Sequence, residues 1–135
     1  MIRMYLYSEN ENPFILVDGR DVDVSRFRKR DTVHSLCLIN GVCGLAVIDK
    51  SDRADFRMDC FGPDGLPSGD CLGAGMCAVA FADLLGIRPF HSKEYTLEVA
   101  GKVHEAVIES HLGECKVIRI GETASPVLCL GSMNE

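Results

Sequence analysis

The sequence predicts an α+β domain in which a curved, mostly antiparallel sheet wraps around one buried central helix. Gly73 to Leu85 carries a single charge and is apolar nearly all round, the pattern of a helix enclosed by protein. Short strand-like runs separated by turn signals occupy most of the remaining chain. The 135 residues, 47% hydrophobic and 25% charged, fit one compact domain, 1–135, with no repeat or linker.

Residues 2–8 and 13–19 read as strands around the polar turn Ser8 to Pro13. Asp21 to Arg30 reads as a short charged helix, with Asp23 or Ser25 as its N-cap. Val42 to Ile48 is a buried strand, Asp49 to Asp52 a turn and Ala54 to Phe61 another strand. Gly62-Pro63-Asp64-Gly65 is a strong turn signal, in which Asp64 caps the turn rather than serving as an acid. After the buried helix, Gly86 supplies the C′ residue and Pro89 follows as a stop. Tyr95 to Val99 and Val103 to Ile108 flank a turn at Gly101-Lys102, and Cys115 to Ile120 is the last strand. The tail from about residue 123 reads as partly loose.

A net charge of −6 argues against nucleic acid as a partner, and the one basic run, Arg26 to Arg30, reads as a solvated helix face. The start lacks a signal-peptide pattern, and no apolar stretch reaches the roughly 18 residues of a membrane span. A soluble, cytoplasmic protein without membrane partners is the expectation. Seven cysteines, an odd number without a C-x-x-C pair, support neither zinc nor a disulfide framework. Cys37, Cys43, Cys60, Cys115 and Cys129 read as small hydrophobes. His34, His91, His104 and His111 lack metal-ligand spacing and are assigned surface or core roles.

The segment carrying chemistry is Asp70-Cys71-Leu72-Gly73-Ala74-Gly75-Met76-Cys77, which opens the buried helix. Its glycines let a ligand approach the backbone, and the amides of a first helical turn favour an anion. A thiol there has a lowered pKa and, beside a polarised carboxylate, can take a proton from the α-carbon. Gly-x-Gly at a helix start is also how a helix packs closely on strands, and the spacing alone leaves both readings open.

Phe61-Gly62-Pro63-Asp64-Gly65, five residues, then Cys71 resembles the diaminopimelate epimerase pattern F-N-x-D-G-(x5)-C-G-N-G-x-R-C. The similarity continues through Ala78 to Ile87 and Val99-Ala100-Gly101-Lys102, and Asn12 to Asp18 is similar to the family's N-D-F-V-V-I-D segment. It covers roughly residues 1–122 and corresponds to the N-terminal half of that family alone. The resemblance implies a barrel-like sheet around a central helix and a cofactor-independent site shared by two facing domains. Each domain then gives one cysteine, acting on opposite faces of the substrate α-carbon. The gapless register puts Cys71 at the catalytic position, with Asn12, Gly73, Ala74 and Gly75 as substrate-binding residues and neither metal nor cofactor. A register shifted by one puts Leu72 there instead and leaves the site without a base. Polar groups of the family pattern are replaced by Leu72-Gly73-Ala74, by Gly62 and by Gly44.

Three functions follow from the resemblance. One is a diverged half-length relative that binds a small carboxylate or amino acid without full catalysis. The second is an amino-acid racemase or epimerase assembled as a homodimer, or with a second-domain partner, and using Cys71 as acid/base. The third is a structural or interaction module.

Overall fold

The computed structural model describes residues 1–69, 71–91 and 93–133. Among these residues the chain forms β1 (Met4–Glu9), β2 (Asn12–Asp18), α1 (Arg30–Asn40), β3 (Leu45–Asp49), β4 (Phe56–Phe61), α2 (Leu72–Leu84), β5 (Glu94–Val99), β6 (Lys102–Leu112), β7 (Cys115–Ile120) and β8 (Thr123–Met133). Each strand pairs with the next, and β8 returns to β1, so the sheet closes into an eight-stranded barrel. Six pairings are antiparallel, while β2–β3 and β4–β5 are parallel. A parallel pair needs a crossover, and the chain supplies α1 for the first and α2 for the second.

α2 contacts all eight strands. Nine of its thirteen residues are buried, so it has no polar face to offer water and needs cover on every side. The strands present alternate residues to it, among them Leu16, Ile48, Phe56, Leu97 and Ile118. Phe81 anchors the contact with β1, its ring centroid 5.5 Å from that of Tyr5 and 5.9 Å from that of Tyr7. The helix ends as its sequence predicts. Gly86 takes φ +83°, a left-handed conformation, and the Ile87 amide donates to the Ala82 carbonyl at 2.9 Å.

A second apolar layer lies outside the barrel, where Val33 and Cys37 of α1 pack with Ile15, Val17, Leu45 and Val47. β2 and β3 are therefore covered on both faces, which accounts for their continuous rather than alternating apolar runs.

Two expectations are corrected. The helix expected over Asp21 to Arg30 is only a 3-10 turn at Ser25–Arg28, and the α-helix follows it. Asp23 still marks the entry, accepting a hydrogen bond from the Ser25 amide at 2.9 Å. Burial of Val24 and Phe27 asks for a single turn, whereas Val33 and Cys37, four apart, ask for an α-helix one step later. The tail from residue 123 is β8, which pairs with β7 from Thr123 to Leu128 and with β1 up to Met133. It is ordered because both neighbouring edges would otherwise stay unpaired.

Candidate functional site

The loop from β4 to α2 folds on its own turn. The Gly65 amide donates to the Gly62 carbonyl at 3.0 Å, and Asp64 Oδ1 accepts from the Leu66 amide at 3.0 Å. Asp64 thus caps the turn. The chain then reaches Cys71, the N-cap residue of α2 (φ −120°, ψ 20°), whose carbonyl accepts from the Gly75 amide at 2.7 Å. Asp70 lies outside the described residues.

The Cys71 side chain is 8% exposed and its thiol donates to the Ser68 carbonyl at 3.0 Å. It is nevertheless not sealed in hydrocarbon. A cavity of about 210 Å³ opens beside it, bounded on the helix side by Cys71, Leu72 and Gly75 and on the strand side by Leu97, Val99 and Ile120. The volume is below the roughly 300 Å³ at which pockets for drug-sized ligands begin, so the space suits a small molecule. A side chain on Gly75 would point at the strand wall, with its Cβ 3.4 Å from Ile120 and 3.5 Å from Leu97.

His104 also lines this cavity. It pairs with Leu97 across β5–β6 and precedes the buried Ala106 by two residues. The pleat therefore turns it toward the helix, at the rim of the barrel. Sequence reasoning assigned it no role beyond surface or core. Alternation in Val103-His104-Glu105-Ala106 put His104 and Ala106 on one face, but only the packed barrel shows that this face looks inward.

The other expected residues divide. Gly75 lines the cavity with Cys71, whereas Gly73 lies on a different side of α2, where a Cβ would stand 2.6 Å from Glu9 Oε1 and 3.4 Å from the Phe14 ring. Asn12 is exposed at the start of β2, opposite Glu9 in the hairpin. Ala74, on the position of the helix after Gly73, is 1% exposed and packs in the core. The first-turn amides of α2 favour an anion. The Glu9 carboxylate beside Gly73 already places negative charge near that helix end. Cys77 is core, and burial pushes its thiol far up, with the charge of Glu9 adding to the effect. Gly44, where the resemblance places a glutamine, has room for no side chain: a Cβ would meet the Phe61 carbonyl oxygen at 2.6 Å. Among the described residues no three His, Cys, Asp or Glu side chains converge as metal ligands, and no helix is long and apolar enough to cross a membrane.

The chain is 36% identical over 100 residues to a diaminopimelate epimerase of Chlorobaculum tepidum, a match covering 72% of this chain and 38% of that one. The chain is diaminopimelate-epimerase-like. A diaminopimelate epimerase of Flavobacterium psychrophilum is 29% identical over 116 residues, 82% of this chain and 43% of its own length. This diaminopimelate-epimerase-like chain therefore spans about two fifths of these curated relatives. No family model matches it. Its fold is that of a phenazine biosynthesis protein of the PhzF family from Bacillus anthracis (TM-score 0.68, 17% identity, 88% of this chain and 40% of the other). The fold is also that of a methylitaconate-delta-isomerase (TM-score 0.61, 15% identity, 87% and 37%). A hydroxyproline epimerase from Agrobacterium vitis, solved with trans-4-hydroxy-L-proline, aligns at TM-score 0.58 with 13% identity over 87% and 40%.

Proposed function

We propose that this chain binds a small amino acid or related carboxylate in the cavity beside Cys71 and exchanges the proton on one face of its α-carbon. The observation that carries this reading is the Cys71 thiol on the wall of a 210 Å³ cavity at the start of α2. The backbone amides of that first turn would hold the carboxylate, and the apolar wall of Leu97, Val99 and Ile120 would receive a small apolar side chain. α2 plays the part of the central helix of the resembling domain, a reading supported by its contacts with all eight strands.

Inversion needs a proton to leave one face and return to the other. A single thiol on a rigid helix end serves one face, so inversion calls for a second half, supplied by a twofold copy or a separate partner domain. The exposed side chains of Leu66 and Leu72, close to the site in sequence, suit such cover. Seven cysteines with no disulfide between them fit a reducing, cytoplasmic setting.

The test is wash-in of deuterium at the α-carbon of amino acids in heavy water, with Cys71→Ser as the control. Exchange that disappears in the variant is expected, and exchange that persists unchanged would exclude Cys71 as the base. A second reading, binding without proton transfer, is favoured by Gly44, where backbone crowding leaves no room for a polar side chain, and by Glu9 beside the anion-favouring helix end. Saturable ligand binding without exchange at high protein concentration would establish it.

A further inference from the structure

β8 is paired for longer on one side than on the other. It bonds to β1 from Val127 to Met133, but to β7 only from Thr123 to Leu128, because β7 begins at Cys115. Past Leu128 the side of β8 that faced β7 meets no strand among the described residues, so alternate residues of 129–133 turn main-chain groups into an open seam. Proteins guard such edges with charge, and residues 129–133 carry none. The register shift that leaves Leu130 without a partner on β1 bends the strand there and keeps the open stretch short. A cavity of about 390 Å³ lies in this seam, at the opposite end of α2 from Cys71. Ala80 and half-exposed Leu84 line it from the helix, Val127 and half-exposed Leu130 from β8. Two charges stand at its mouth. Lys116 lies 4.0 Å from Asp83 Oδ2, whereas Glu114, exposed at the tip of the β6–β7 hairpin, has no ion-pair partner among the described residues.

We propose that this seam is a docking site for a short extended peptide, which adds as a strand to residues 129–133 of β8, seats one side chain of leucine or methionine size in the cavity and sets a lysine or arginine beside Glu114. Main-chain hydrogen bonds to the open edge supply the affinity, and the cavity next to it selects the side chain. The edge and the cavity are separate observations: one comes from the strand register, the other from the space between α2 and β8. Charge decides between a peptide and a second copy of the chain, since the copy's own residues 129–133 would bring no cation to Glu114. The bend at Leu130 limits the ladder to a few residues, enough for a peptide and too few to hold two barrels together. The surface lies away from the cavity beside Cys71, and neither reading depends on the other.

The probe is a fluorescein-labelled hexapeptide, Thr-Lys-Thr-Leu-Thr-Tyr with an amidated end, in which the lysine and the leucine fall on one face of an extended strand. Its binding to the intact chain is followed by fluorescence anisotropy. Cys129 lines the cavity and is partly exposed, so its labelling by N-ethylmaleimide, mapped by mass spectrometry, reports occupancy at the site itself. The peptide is expected to bind saturably and to slow labelling of Cys129 but not of the exposed Cys43. Replacing its leucine by aspartate, or methylating its backbone nitrogens, is expected to weaken binding at least about tenfold. Glu114→Lys is expected to weaken the lysine peptide about fivefold and to favour one carrying glutamate instead, a reversal that a general loss of structure would not produce. Circular dichroism establishes that this variant folds. Absence of saturable binding, or binding that leaves Cys129 labelling unchanged or is indifferent to backbone methylation, would overturn the proposal. So would light scattering that shows a dimer whose Cys129 is protected without peptide, since a second copy would then occupy the edge.

Discussion

Gly75→Ala separates packing from cavity at one position. In the interior of a helix alanine is favoured over glycine by about 1 kcal/mol. The added methyl would meet Ile120 Cδ1 at 3.4 Å, Leu97 Cδ1 at 3.5 Å and Met58 Cε at 4.0 Å. All three are the ends of flexible side chains, and only the first sits at the edge of ordinary contact. A small yield in Ile120 is offset by the newly buried methyl, so the balance is a gain of roughly 0.5–1.5 kcal/mol. That corresponds to a rise of about 2–6 °C in Tm for a domain of this size. Because Ile120 and Leu97 also bound the 210 Å³ cavity, the same methyl takes space from a ligand. Cys71-dependent exchange is expected to fall about tenfold, the usual effect of one misplaced methylene-sized group. Urea unfolding followed by circular dichroism gives the first number and isotope exchange the second. Destabilisation by more than about 1 kcal/mol would refute the reasoning, since the glycine would then be a packing necessity at a wall that cannot yield.

Deleting residues 123–135 removes the strand bonded to both β7 and β1, and the shortened chain is expected to lose its cooperative thermal transition by circular dichroism. A sharp transition retained near the wild-type Tm would mean that the barrel does not depend on β8. Stability is also expected to decline from about pH 9 upward. Burial lifts the Cys37 thiol to about 11 and the Tyr95 hydroxyl to about 12, so above the ordinary thiol range the unfolded chain has lost protons that the folded one keeps. The stabilisation is complete below pH 9 and is lost as pH rises through those values. Urea midpoints measured between pH 8 and 11 should fall, with a shallower fall in Cys37→Ala.

The elements legible in the sequence are those whose cause is local. α2 is apolar on every side, and its stop is a glycine that can take positive φ. The turn at Gly62 to Gly65 closes on its own hydrogen bonds. α1 was illegible because only Val33 and Cys37 are fully buried, while Leu38 and Ile39 are apolar yet 73% and 79% exposed, which blurs the amphipathic period. β8 carries Pro126 and Gly131, residues that argue against a strand, and its reason to be one lies in two edges contributed by distant segments. The site divides along the same line. Cys71 is a candidate from its position at the helix entry, which is readable along the chain. His104 depends on which face of β6 looks inward, a property of the closed barrel rather than of any window along the chain.

The closure of β1 on β8 has a kinetic consequence. The first and last strands are those farthest apart along the chain, so the pairing that seals the barrel has the greatest loop entropy to overcome and should form last. Until it forms, two strand edges remain open at once, and an oily α2 lies within an incomplete ring. On the ribosome that interval lasts until the β8 segment has emerged, and a rate-limiting refolding step that β8 truncation abolishes is the expected signature of ring closure.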